Sequence, residues 1–214
     1  LRLTIGSALS GHGASEREAK LLRRCNLQLE ATNGLFDSLK ELARLEEGQV
    51  RLNKSRLVLN AVLEKVSEVC RPWIEQRRQS YLLLLPPAVV LIEADAVRLE
   101  EIFINLISNA SKYTPEGGKI WVKLTTEGRE AVVRVEDNGV GIGPETLPQL
   151  FQLFTQEDSS RNLSQGGVGL GLWLVRQLVM LHDGTVSAKS DGTDRGSEFA
   201  IRLPMETAVA QATM

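Results

Sequence analysis

The sequence predicts an α+β chain, a two-layer α/β sandwich with helices on one side of a mixed sheet, preceded by an α-helical hairpin. Three observations carry this. Apolar residues recur at three- and four-residue spacing up to about Glu47. After Gly48 short alternating strands mix with longer amphipathic stretches. Gly, Pro, Asn and Asp punctuate the segments where strands and helices should turn.

The first element is a helix starting near Ser15, where Ser15 and Glu18 form a capping-box signature. Leu22, Cys25, Leu29, Phe36, Leu39 and Ala43 make one apolar stripe along it. Gly11 and Gly13 mark a turn, and Leu1–Leu9 reads as the tail of an earlier helix, giving an αα-hairpin. One hairpin buries little core, so its stripe is expected to pair with a second copy in a four-helix bundle. The alternative is packing on the rest of this chain.

The spacing then predicts a short strand at Val50–Leu52 and a helix at Val58–Gln79 that Pro72 kinks or splits. Tyr81–Leu85 and Val89–Glu93 read as two strands joined at Pro86-Pro87. Asp95 caps a helix running to about Lys112, with Leu99, Ile102, Phe103, Leu106 and Ile107 on its apolar face. Ile120, Val122 and Leu124 alternate, as do Ala131, Val133 and Val135, with a turn at Glu127-Gly128. Leu170–Leu181 reads as a helix. Thr185–Lys189 and Ser197–Leu203 form a last hairpin turning at Asp191-Gly192. The domains are therefore expected at 1–49 (hairpin), 50–206 (sandwich) and 207–214 (a fraying tail).

Composition narrows the function. The 214 residues are 43% hydrophobic and 24% charged, ordinary for a folded domain. With 25 basic and 27 acidic residues the formal charge is −2, which argues against nucleic acid as a partner. No apolar run approaches the roughly 18–20 residues of a bilayer span, so this stretch is not expected to contact a membrane. Cys25 and Cys70 have no metal-ligand spacing and read as two reduced thiols of a cytoplasmic protein.

Four clusters carry chemistry. Asn105 and Asn109 lie one helical turn apart and share a face. Two amides on an apolar helix need partners, either a hydrated Mg²⁺ through oxygen or backbone groups. Lys112 would add a positive charge beside phosphates. Asp137 follows a strand, where a carboxylate accepts hydrogen bonds from an exocyclic amine such as that of adenine. Gly139 and Gly141 after it allow close backbone approach, although Asp-Asn-Gly is also an ordinary turn. Phe151 to Phe154 precedes a long polar stretch, Thr155–Gly166, that has the composition of a lid. Gly166, Gly167, Gly169 and Gly171 lead into a helix whose free N–H groups suit phosphate. A dinucleotide-binding loop competes for that last pattern, but it belongs after a first strand, which is not where these glycines fall.

In this order and spacing the clusters resemble the N box, first glycine box, F box and second glycine box of sensor histidine kinases, in the ATPase superfamily that also holds gyrase and MutL. The resemblance covers roughly Val50–Pro204. It implies a Bergerat ATP-binding fold, with ATP and Mg²⁺ as the cofactors. By motif position, Asp137 would bind the adenine amine and Asn109 would hold Mg²⁺. Asn105 and Lys112 would sit by the phosphates as the catalytic pair, and Tyr113 would stack on or near the adenine. Arg161 and the amides of Gly167, Gly169 and Gly171 would grip the phosphate tail. Gly139, Gly141, Ile142, Phe154, Leu170 and Leu172 would complete the nucleotide site. Where the superfamily's ATPases carry a glutamate base four residues before the Mg²⁺ asparagine, this chain has Asn105, which cannot take a proton at neutral pH. Slow hydrolysis is expected, as suits a kinase.

The N-terminal hairpin is similar, more loosely, to the family's dimerisation and phosphotransfer domain. That implies a homodimer, a receiver domain of a response regulator as partner, and an acceptor histidine. The family's motif of His, an acid, Leu and Arg aligns with Leu1-Arg2, which places the acceptor just upstream. Leu3 and Thr4 depart from the motif that follows, which puts phosphatase activity in doubt. His12, in the turn, is a poor substitute, and His182 is expected to interact with a helix C-terminus. The irregular opening also admits a second reading, an ATP-binding pseudokinase that serves as a dimeric regulatory or scaffold module.

Overall fold

A computed structural model describes residues 40, 43, 44, 47, 50–153, 155 and 169–206. The chain divides into two units, Leu1–Gln49 and Val50–Met214. Ser15, Cys25, His12 and almost all of the expected hairpin lie outside the described residues, as does the tail. In the first unit the described residues include a helical backbone bond, Glu47 N to Ala43 O at 3.0 Å.

The second unit runs β1 (Ser55–Val58), α1 (Leu59–Gln76), β2 (Ser80–Leu84), β3 (Leu91–Ala94), α2 (Ala96–Tyr113), β4 (Lys119–Glu127) and β5 (Glu130–Asp137). A short 3₁₀ turn (Leu147–Gln149) follows, then α3 (Gly171–Leu181), β6 (Thr185–Lys189) and β7 (Ser197–Pro204). Five strands form the main sheet in the order β2-β4-β5-β7-β6, with β1 and β3 in a separate antiparallel pair. The β2–β4 pair is parallel and the other main-sheet pairs are antiparallel.

Period-two alternation builds the layers. Ile120, Val122 and Leu124 of β4, Val133 and Val135 of β5, and Ile201 and Leu203 of β7 are all buried. Val122 and Leu124 face Val135 and Val133 in register, and Val135 and Val133 face Phe199 and Ile201. Leu59, Leu63 and Val66 of α1, Leu99, Phe103 and Leu106 of α2, and Val175, Leu178 and Val179 of α3 complete the core at 1% exposure or less. On the other face of the sheet Lys123 pairs with Glu136 at 2.6 Å across β4 and β5.

Four points of the sequence reading need adjustment. Val50–Leu52 is not a strand. The first strand begins at Ser55, once Asn53 N has bonded Asp95 Oδ2 (2.9 Å) and Lys54 has paired with Asp183 (2.8 Å). Pro72 lies inside α1 and does not split it. Pro72 and Glu68, whose carbonyl loses its donor, are both exposed, so water can satisfy that carbonyl. The helix stops at Gln76 rather than Gln79, because Arg78 takes a left-handed φ of 52° and Gln79 N turns back to Ile74 O. The strands flanking Pro86-Pro87 do not pair with each other. β2 joins the main sheet beside β4, and β3 joins β1.

Candidate functional site

The site is assembled on α2. Asp95 starts that helix by accepting from Val97 N (3.0 Å) and Arg98 N (3.2 Å) through Oδ1. Desolvation pushes its carboxyl up, but the N–H bonds from Asn53, Arg98 and Val97 together outweigh it and hold the group below the usual range. Asn105 and Asn109 follow on one face, both half-buried. Asn105 Nδ2 donates to Glu101 O at 3.0 Å, which leaves its carbonyl oxygen as the free end. That oxygen faces the start of α3: a Cβ added to Gly171 would lie 3.1 Å from it. The first and fourth clusters therefore meet. Asn109 has no side-chain hydrogen bond to any described residue, so its oxygen remains available to an external ligand. At the helix end the Lys112 ammonium sits 4.9 Å from the centre of the Tyr113 ring, and Tyr113 is half exposed.

β5 supplies the carboxylate. The alternation Val133, Val135, Asp137 turns Asp137 to the core side, where it is 8% exposed. Its Oδ1 accepts from Gly139 N at 2.8 Å and its Oδ2 from Ser197 Oγ at 2.5 Å. Burial raises its pKa, and these two bonds oppose that shift. Each oxygen keeps a further acceptor position.

The loop after Asp137 is locked by close backbone approach. Val140 N donates to Tyr113 O at 3.1 Å, tying the loop to the end of α2. A Cβ on Gly139 would collide with Tyr113 O. Gly141 has φ 70°, and a Cβ there would strike Gly192 O. Ile142 is buried, with its N–H on Ser190 Oγ at 3.0 Å. Before α3, Gly169 has φ 73°, Leu170 is buried and Leu172 is half-buried as the helix begins. Phe151 packs edge-on against Phe199 with centroids 6.4 Å apart. Phe154, Arg161 and Gly167 lie outside the described residues, as does the expected lid Thr155–Gly166 apart from Thr155.

Residues 94–207 match the family described as histidine kinase-, DNA gyrase B- and HSP90-like ATPases. The chain belongs to this family. Among curated relatives, the sensor histidine kinase YclK of Bacillus subtilis is 35% identical over 163 residues, 76% of this chain and 34% of its own. The probable sensor histidine kinase TcrY of Mycobacterium tuberculosis is 33% identical over 195 residues, 89% of this chain and 39% of its own. The chain thus spans little more than a third of the length of these two relatives. Of solved structures, the histidine kinase AdeS of Acinetobacter baumannii superposes with a TM-score of 0.70 at 27% identity, covering 95% of this chain and 96% of that one. Full-length ShkA in complex with AMPPNP shares the fold, with a TM-score of 0.76 at 24% identity, over 94% of this chain and 41% of that one. The fold is the mixed-sheet, helix-layered ATPase fold of histidine kinase catalytic domains, the domain that binds ATP.

The sequence reading missed several residues around this ATPase-family site. Ser197 bonds Asp137, and Gly196, with φ 72°, lets the backbone of β7 pass where a Cβ would strike Asp137 O. Ser190 bonds the first glycine loop. The β5–β7 register sets Ser197 opposite Asp137, a pairing that no local sequence signal names. His182 does interact with the end of α3, Nδ1 lying 2.7 Å from Leu178 O, but not as a cation. Its Nε2 lies 3.0 Å from Asp95 N and must accept, so the ring is neutral and donates through Nδ1. Burial pushes its pKa down accordingly. Among the described residues no cluster of three His, Cys, Asp or Glu could hold a metal, and no helix is long and apolar enough to cross a membrane. A Mg²⁺ here would rely on the Asn109 oxygen, phosphate oxygens and water, a donor set that Mg²⁺ accepts.

Proposed function

We propose that this chain is the ATP-binding core of a protein-histidine kinase. Asp137 accepts from the adenine amine, and Tyr113 covers the ring. Asn109 ligates Mg²⁺, which neutralises phosphate charge, while Asn105, Lys112, Arg161 and the amides of Gly167, Gly169 and Gly171 hold the phosphates. Gly139, Gly141, Ile142, Phe154, Leu170 and Leu172 line the site. Segment 1–49 serves as the dimerisation hairpin, 50–206 as the catalytic domain and 207–214 as a tail, in a cytoplasmic homodimer.

A histidine ring nitrogen of the hairpin attacks the γ-phosphorus. The N–P bond forms as the bond to the β–γ bridging oxygen breaks, and ADP leaves. The phosphoryl group then passes to an aspartate of a response-regulator receiver domain. Positioning and charge neutralisation supply the catalysis, with no protein base for water at Asn105.

The observation that carries this reading is the buried Asp137 carboxylate. It stands at a strand end with acceptor capacity to spare, beside a loop that close backbone approach at Gly139 and Gly141 holds in place. The test is phosphoryl transfer from γ-labelled ATP with Mg²⁺, on this chain and on one extended upstream by about ten residues, roughly three helical turns. Acid-labile, base-stable label supports the kinase. ATP binding without label on either chain favours the pseudokinase. No ATP binding removes both readings.

A further inference from the structure

The first glycine loop is held from behind by the connection between β6 and β7. Asp194 N donates to Val140 O at 2.7 Å, and Gly196 N donates to Gly139 O at 3.0 Å. Gly192 O fills the space a Cβ of Gly141 would take. Three residues of this turn have left-handed φ: Gly192 at 109°, Asp194 at 59° and Gly196 at 72°. Asp194 has no glycine-like freedom, so this conformation is maintained by its bonds.

One side chain joins the two loops. Ser190 Oγ accepts from Ile142 N at 3.0 Å and donates to Gly196 O at 2.7 Å. It also lies 3.4 Å from Gly192 N, a second and longer donor. A single hydroxyl thus closes the turn on itself and fixes the far end of the Asp137–Ile142 loop. Only a small side chain with both donor and acceptor fills this role, which Ser and Thr meet and Ala does not.

We propose that Ser190 is a positioning residue for the adenine side of the nucleotide site. It acts through the backbone of Gly139–Ile142 rather than by touching ligand. This rests on the nucleotide reading given above. Because Ser190 stabilises the loop next to Asp137 and not the phosphate loop at α3, its loss should weaken every adenine nucleotide by the same factor, whatever its phosphate count. One part-buried hydrogen bond at the hinge of the loop corresponds to roughly tenfold in affinity.

The experiment is calorimetric titration of the full chain with ATP and with ADP, with and without Mg²⁺. Ser190→Ala should weaken ATP and ADP equally, by about tenfold, and leave the Mg²⁺-dependent gain unchanged. Ser190→Thr should restore binding to within about twofold. Should Ser190→Ala fail to fold, Gly192→Ala carries the test. Its Cβ meets no atom, while its φ of 109° strains the turn that backs Gly141, so it should give the same equal loss. If the wild-type chain binds ATP and both variants bind it as well as wild type, the inference is wrong and the nucleotide reading stands. Unequal losses for ATP and ADP also overturn it. If the wild-type chain binds neither nucleotide, the site reading itself fails and takes this inference with it.

Discussion

Replacing His182 should produce a stability change with a defined pH signature. The ring bridges the C-terminus of α3 and the N-cap of α2, through Leu178 O at 2.7 Å and Asp95 N at 3.0 Å, and is 2% exposed. His182→Ala deletes both side-chain bonds and leaves the Asp95 N–H without its partner, while Leu178 O keeps the backbone N–H of residue 182. At roughly 0.5–1.5 kcal/mol net per bond, with a further penalty of about 1–3 kcal/mol for an orphaned group, the loss is about 3 kcal/mol. That is a large share of a domain stability of about 5–15 kcal/mol.

The sign of the pH dependence follows from the depressed pKa. Unfolded, the ring titrates near its ordinary value of 6.5; folded, it holds its proton less well. The neutral-ring contribution is fully present above the unfolded value. As pH falls below 6.5 the unfolded chain takes up a proton the folded chain refuses, and stability falls by up to about 1.4 kcal/mol per pH unit. The loss levels off only below the folded pKa. Asp137, with its raised pKa, works in the opposite direction on acidification, since its folded state favours the proton. The difference between wild type and His182→Gln isolates His182, because glutamine offers a donor and an acceptor but does not titrate. Urea unfolding from pH 8 to pH 5 measures it. If the two proteins lose stability in parallel below pH 6.5, the neutral bridge is not what His182 provides.

Asp137→Asn should weaken ATP binding by more than about tenfold, because an amide can present a donor where the adenine amine needs an acceptor; direct titration reports it. ATP affinity of the wild type should fall on acidification from a pH above the ordinary carboxylate range, since burial raises the Asp137 pKa; titration across pH 7 to 4.5 shows the midpoint. Steady-state hydrolysis should be slow, and an Asn105→Glu variant should raise it if that position can host a base; a phosphate-release assay compares them. Cys70 is buried with its pKa pushed up to about 11, so a thiol reagent at pH 7.5 should not label it until the domain unfolds.

What the sequence disclosed depended on range. The β4–β5 hairpin was legible because its alternation and its turn are local: Glu127 pairs with Glu130 across Gly128-Arg129, and Gly128 has φ 61°. The α2 start was legible because Asp95 caps its own helix. Strand partners were not. Tyr81–Leu85 and Val89–Glu93 read as two strands joined at Pro86-Pro87, which names no partner for either: Ser80 pairs with Lys119 and Leu91 with Val58. Nothing local to a strand names a partner so distant. The same limit hid half of the site: Asp137, Gly139 and Gly141 stood out together, whereas Ser190, Gly196 and Ser197 reach them only through the β5–β7 register.

Three of the clusters were each ambiguous alone, and the contacts of their described residues bear on each. An amide pair on a helix has a backbone-bonded alternative, but Asn105 spends only its nitrogen on Glu101 and turns its oxygen to Gly171. An Asp-Asn-Gly has a turn alternative, but a mere turn has no reason to bury its carboxylate or to clasp the end of another helix through Val140 and Tyr113. The glycine run, for which a dinucleotide-binding loop competes, ends at Gly171, which opens a helix whose far end His182 pins to the cap of α2. α2 and α3 therefore run antiparallel, joined at Asp95–His182 and again at Asn105–Gly171. About 15 Å of rigid helix separates the two contacts on α2. Holding the helices at one end sets the distance between amides and glycines at the other. The side chain that best explains that spacing, His182, is one that carries no nucleotide chemistry at all.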